Sequence, residues 1–118
     1  MVMPISDKAM ETIEWAMKAL NARSEVTAQN IANAQTPGYR ASRVSFENML
    51  GEAVSRGRVG ELDGPLVELR GGEPDINGND VRIEDEVVDM VKTNLLAQSM
   101  FQAFTFKANV LRSAIRGQ

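Results

Sequence analysis

Apolar residues recur along two stretches of this chain in alternating steps of three and four, the spacing that lines up one face of an α-helix. In the first stretch Met10, Ile13, Met17, Leu20, Ser24, Thr27, Ile31 and Ala34 keep that step as far as Pro37. Ser6 is placed to act as an N-cap, and Ile5 and Met10 are spaced for a hydrophobic staple. Glu14 and Lys18 add an i,i+4 pair on the outer face. The pattern predicts a helix over about residues 6–35. Its seam is polar at Ser24 and Thr27, so pairing with one partner helix is weak and the face needs more than one neighbour.

The second seam is longer. Ile83, Val87, Met90, Asn94, Ala97, Phe101, Phe104, Ala108, Leu111 and Ile115 alternate in steps of four and three, and only Asn94 is polar. No proline or glycine interrupts Val81 to Arg116, which predicts a helix over about 81–116. The run from Ile83 to Arg116 spans about 51 Å at 1.5 Å per residue. Acids crowd its start and Lys107, Arg112 and Arg116 its end, an order that complements the macrodipole. Val88, Val91 and Leu95 widen the apolar stripe beyond a single seam, so the helix can contact neighbours on more than one side.

Between the two seams the pattern breaks. Phe46, Met49, Leu50 and Val54 fit a short amphipathic turn within 44–55, and Leu66 to Leu69 fits an isolated strand or a hairpin arm. Six of the nine glycines lie between residues 57 and 78, which predicts a partly flexible middle, or one ordered by a partner. The expected fold is mainly α: two long antiparallel heptad helices forming a coiled-coil-like hairpin, in one elongated unit over 1–118, with a middle segment at 36–80.

Residues 30–40 carry the sharpest local signal: Asn30-Ile31-Ala32-Asn33-Ala34-Gln35-Thr36-Pro37-Gly38-Tyr39-Arg40. Pro37 lacks a backbone N–H and drives Thr36 out of the α region, so the first helix stops there. Pro at i+1 and Gly at i+2 predict a type II turn over Thr36 to Tyr39, with Gly38 at positive φ.

Composition removes most chemistry. With no histidine and no cysteine among 118 residues, imidazole-based triads, disulfides and the usual zinc ligands are excluded, and no pair of carboxylates is spaced for acid/base work. No enzyme and no cofactor is expected. A net charge of −3 and scattered arginines give no footprint for nucleic acid. No 18-residue apolar run predicts a membrane span, and the first residues lack a secretory signal's basic and apolar regions. Asp75, Asn77, Asn79 and Glu86 fall at positions 1, 3, 5 and 12 of a calcium loop. The glycine needed at position 6 is replaced by Asp80, so the segment reads as an Asn-Gly turn with Asp80 as helix cap and no metal site is expected.

The string Asn30 to Ala41, N-I-A-N-A-Q-T-P-G-Y-R-A, resembles the signature near the N-terminus of bacterial flagellar axial proteins, the rod and hook subunits. Asn77-Gly78-Asn79-Asp80-Val81, with Ile83 to Glu86 after it, is similar to the lead-in to the C-terminal helix of the proximal rod type. Arg82 stands where such relatives often carry an acid, Gln98 to Phe101 matches the family pattern only loosely, and 56–76 shows no match. The resemblance implies a structural subunit of the periplasmic rod, exported by the flagellar type III apparatus without cleavage. The implied partners are other rod subunits, basal-body base components and copies of itself in a helical assembly. Asn30, Asn33, Thr36, Pro37, Gly38 and Tyr39 are then the family motif and turn, and Ile13, Leu20, Ile31, Val87, Phe101, Phe104 and Leu111 the expected assembly seam. A soluble two-helix adaptor or regulator that is never exported is the alternative.

Overall fold

The computed structural model describes residues 4–117, and side chains from Lys8 onward. Helix α1 spans Pro4–Ala32, strand β1 Ser42–Ser45, helix α2 Glu47–Arg56, strand β2 Leu66–Leu69 and helix α3 Ile83–Ile115, with one 3-10 turn at Val59–Glu61. The protein is mainly helical. Its radius of gyration is 18.0 Å and its extents are 64 × 25 × 14 Å, against a radius of about 13.5 Å for a compact domain of this length.

α1 begins before the predicted cap, with Ser6 inside its first turn. Proline suits the first helical position because its missing N–H has no partner to lose there. The Ile5–Met10 staple lies outside the described residues. At the other end α1 stops at Ala32, earlier than about 35, because Asn33 to Pro37 unwind into tighter turns: Ala34 N bonds Ile31 O at 3.2 Å and Thr36 N bonds Asn33 O at 3.1 Å.

α1 and α3 run antiparallel. Asn30 bonds Glu86, Ser24 meets Met90, and Leu20 clusters with Ala97 and Met100, so rising numbers on one helix meet falling numbers on the other. The seam on α3 differs from the predicted one. Met90, Ala97, Phe104 and Leu111 face inward as expected, but Glu86, Thr93 and Met100 replace Val87, Asn94 and Phe101. Val87 and Phe101 are exposed. A polar network accepts Glu86 in the interior, and alternate positions of the seam shift by one residue while Met90, Ala97 and Phe104 keep theirs.

The middle is structured. β1 and β2 pair antiparallel, with Val44 opposite Val67 and Ser42 opposite Leu69. Asn30 Nδ2 donates to Ser42 O at 2.8 Å, Ser42 N donates to Asn30 Oδ1 at 3.1 Å, and Arg23 Nη2 donates to Val44 O at 2.8 Å. Side chains of α1 thus take the backbone groups that β2 leaves free, and β1 docks edge-on against α1. Ala19, Leu20, Val44 and Phe46 form the core, with Trp15, Val26, Leu50, Ala97 and Met100 packed around it. Phe46 lies 6.0 Å from the Trp15 ring centroid and 4.6 Å beneath the Arg23 guanidinium carbon.

Phe46→Ala is expected to lower unfolding free energy by about 3–5 kcal/mol, because it empties the centre of a small core. Phe106→Ala, at a side chain 67 % exposed, should cost less than about 0.5 kcal/mol. Urea midpoints of the two variants check both.

Candidate functional site

The strongest structural feature is a polar junction where the end of α1, the turn after it, the segment before α3 and the first turns of α3 meet. Asn30 is fully buried. Besides its two bonds to Ser42, its Nδ2 donates to Glu86 Oε1 at 2.8 Å and its Oδ1 accepts from Tyr39 OH at 3.2 Å. All four hydrogen-bonding positions of the amide are used. Glu86, also fully buried, has Arg70 Nη2 3.1 Å from its Oε2, while that nitrogen directs its hydrogen bond to Asp89 Oδ2 at 2.7 Å. Glu86 Oε2 thus meets the Arg70 guanidinium at Nη2 as a charge, and both Glu86 Oε2 and Arg70 Nε are buried without a hydrogen-bond partner.

Asn79 performs a second join. Its Nδ2 donates to the carbonyls of Asn33 and Thr36, each at 2.8 Å, and its Oδ1 accepts from Val81 N at 2.8 Å. One buried side chain thereby closes the unwound end of α1 and fixes the approach to α3. Asn33 Nδ2 caps Gln29 O at 2.9 Å, and Thr36 Oγ1 donates to Asn33 Oδ1 at 3.0 Å.

Asp80 is not the cap of α3. That position belongs to Arg82, which makes no side-chain cap bond. Asp80 instead turns inward to accept from Ala41 N and from Arg40 Nε at 3.0 Å, while Arg40 Nη2 reaches Gly72 O at 3.0 Å. Burial pushes the Asp80 carboxyl up, but the Ala41 N–H and the Arg40 guanidinium outweigh it and hold the group below its ordinary value.

The Thr36 to Tyr39 turn closes with Tyr39 N to Thr36 O at 3.2 Å and Gly38 at φ 75°. It rests on a second glycine turn. Asp75 Oδ1 accepts from Asn77 N at 2.8 Å and Asn79 N at 3.0 Å, Gly78 sits at φ 81°, and Gly38 N donates to Asn77 O at 2.8 Å. A Cβ on Gly78 would lie 3.3 Å from Gly38 Cα. Of the side chains that matched calcium-loop positions, Asp75 and Asn79 are thus committed to backbone groups, and Glu86 points into the interior at Asn30. Among the described residues no cluster of acids is placed to hold a metal.

The junction gathers Asn30, Asn33, Thr36, Gly38 and Tyr39, with Pro37 exposed at the turn. Of the expected seam, Leu20 is buried and Ile13, Ile31, Phe104 and Leu111 are half-buried, while Val87 and Phe101 face solvent. Sequence reasoning assigns no junction role to Arg40 or Arg70 and reads Asn79, Asp80 and Glu86 as turn, cap and lead-in to α3 rather than as junction residues. A signal existed for Glu86, which sits one residue before a seam position.

Away from the junction, part of the surface is apolar. On α3, Val88, Val91, Leu95 and Phe106 lie opposite the side that meets α1, between 50 % and 67 % exposed. A groove of about 380 Å³ runs between Ile13, Ala16 and Leu20 below and Phe46, Leu50, Leu96 and Met100 on its walls. No described helix is long and apolar enough to cross a membrane.

A family model described as "Flagella basal body rod protein" matches residues 10–40. The chain is 30 % identical to the flagellar basal body rod protein FlgB of Escherichia coli (strain K12), over 91 % of this chain and 97 % of that protein. It is 29 % identical to the FlgB of Aeromonas hydrophila, over 95 % and 96 %, and 24 % identical to that of Bacillus subtilis (strain 168), over 98 % of both.

Gly38→Val is expected to cost about 1–3 kcal/mol, since a β-branched residue enters positive φ only with strain. Nothing lies within 4 Å of the added Cβ, so the cost is conformational, and Gly38→Asn should be milder. Chemical denaturation of the pair measures the difference.

As pH falls below 3.8, the ordinary value for this group, unfolded Asp80 takes up a proton before folded Asp80 does. Stability therefore rises with pH in that window, is complete above it, and is lost through the lower folded value. The stability gap between wild type and Asp80→Asn should narrow as pH drops below about 4, measured by urea midpoints along a pH series.

Proposed function

Since the chain belongs to the flagellar basal body rod protein family and is a structural subunit of the rod rather than an enzyme, we propose that it forms the proximal part of the periplasmic drive shaft by packing its two long helices against those of neighbouring subunits. The observation that carries this reading is the apolar face of α3 that the chain's own fold leaves bare. Phe101 and Val87 flank that face and are offered to neighbours rather than to α1. The α1–α3 pair then acts as a coiled-coil hairpin whose seam on α3 steps through Glu86, Met90, Thr93, Ala97, Met100 and Phe104. Its neighbours are basal-body base components, other rod subunits and copies of itself. It reaches the periplasm unfolded, through the flagellar export apparatus, with no leader removed. Little private core and no cysteine suit that route.

Deleting the gene should abolish swimming, and a tagged copy should restore it and co-purify with basal bodies. Leu95→Asp, at a side chain 60 % exposed, should leave export and monomer stability within about 0.5 kcal/mol of wild type yet remove the chain from basal bodies. Its burial in the assembly would desolvate an unpaired carboxylate. Swarming, secreted-protein blots and basal-body composition report the three properties separately; full motility of the variant would exclude this face from the rod.

A further inference from the structure

β1 has both of its edges filled. One pairs with β2, and the other takes Asn30 at Ser42 and Arg23 at Val44. β2 has only the first. In an antiparallel pair, alternate residues aim their backbone groups at the partner strand and the residues between them aim away. Arg70 N donates to Ala41 O at 2.8 Å and Leu69 stands opposite Ser42, so Leu66, Glu68 and Arg70 face β1 while Val67 and Leu69 turn their N–H and C=O groups outward. Among the described residues nothing bonds those outward groups. Val67 is 54 % and Leu69 63 % exposed. Edge strands are ordinarily blunted by lysine, proline or a bulge. β2 carries none of these within Leu66–Leu69, and Pro65 stops just short of it.

Val67 and Leu69 put their apolar side chains on one face of the strand, which suits a neighbour with apolar residues at every second position. Charge around the edge is one-sided. Between residues 59 and 75 the acids are Glu61, Asp63, Glu68, Glu73 and Asp75 against Arg70 as the only base, and Arg70 is turned inward to Glu86 and Asp89. Glu61 and Asp63 before the strand and Glu73 after it are exposed, and among the described residues none of them joins an ion pair. The filled side of β2 shows the chemistry that answers such acids: Arg43 of β1 meets Glu68 at 3.0 Å. We infer that the outer edge of β2 docks an extended segment of another protein, with apolar residues at alternate positions and lysine or arginine at its ends. A second copy's β2 does not fit, because antiparallel pairing of the two edges sets Asp63 of each toward Glu73 of the other. β1, with Arg40 before it and Arg43 within it, is already paired inside each copy. The contact uses backbone groups of the hairpin and none of the bare α3 face, so it stands apart from the helix packing proposed for the rod.

The probe is a fluorescein-labelled peptide of alternating valine and threonine with paired lysines at both ends, titrated into the full chain and followed by anisotropy and amide hydrogen exchange. Binding should slow exchange at Val67 and Leu69 on the order of tenfold or more, and leave the inward-facing Glu68 amide unchanged. Val67→Pro removes an outward donor without touching the β1 ladder, and should weaken the peptide on the order of tenfold at an unchanged urea midpoint. The peptide carries the same test without altering the chain: methylated on its backbone nitrogens it should not bind, and binding equal to the parent's overturns the edge. Glu61→Lys, Asp63→Lys and Glu73→Lys together should weaken the lysine peptide on the order of tenfold at about 0.05 M salt, and admit a glutamate-ended peptide in its place. Equal binding of the two peptides by the wild-type chain overturns the basic partner. A wild-type dimer that Val67→Pro abolishes overturns the choice of a foreign strand over a second copy.

Discussion

The Asn30 amide is the interaction on which the rest of the structure depends. Its four bonds reach the backbone of β1, the hydroxyl of Tyr39 and the carboxylate of Glu86, so one side chain ties together the hairpin, the turn and both long helices. A satisfied buried hydrogen bond contributes only about 1 kcal/mol net, but each group left unpaired costs about 1–3 kcal/mol. That asymmetry makes the junction a device for uniqueness. A slip of either helix, or of the hairpin along α1, strands several buried polar groups at once.

Such a device matters more here than in a compact domain. The core is small, and the 64 Å length leaves much of both helices without cover from the chain itself. Apolar seams tolerate sliding by a turn with modest loss; the Asn30–Glu86 and Asn79–Val81 bonds do not. The polar end therefore sets the relation between α1, α3 and the hairpin, while the distant helical ends contribute surface. For a rod subunit, whose copies must present the same shape at each position, register at one end propagates along rigid helices to the other.

Much of the backbone was legible in the sequence. The two long helices, the strand at Leu66–Leu69 and the positive φ of Gly38 follow from periodicity and turn chemistry alone. The partner of that strand was not, because β1 holds its place through Asn30 and Arg23, contacts made across the fold rather than along the chain. The motif asparagines stood out by resemblance, but their bonds did not. Asn79 finds its partners at Asn33 and Thr36 and Asp80 finds Arg40 and Ala41, both about forty positions away. Local cap rules, applied to Asp80, chose the near helix end over the distant backbone.

The register of α3 shows how that polar end shapes the outer surface. Ranking side chains by hydropathy places Val87 and Phe101 inside and Glu86 outside; the buried Asn30 amide and the nearby Arg70 reverse the order. Exchanging Val87 and Phe101 for Glu86 and Met100 while Met90, Ala97 and Phe104 stay inside rotates the buried stripe by about half of the 100° step between successive residues. Apolar residues that would have filled a private interface then point outward, beside Val88, Val91 and Leu95. A buried carboxylate adds little stability by itself and is costly when its partners are lost. Its consequence here is geometric: by holding Glu86 inside, the junction turns a surplus of apolar side chains into a continuous outer face available for assembly.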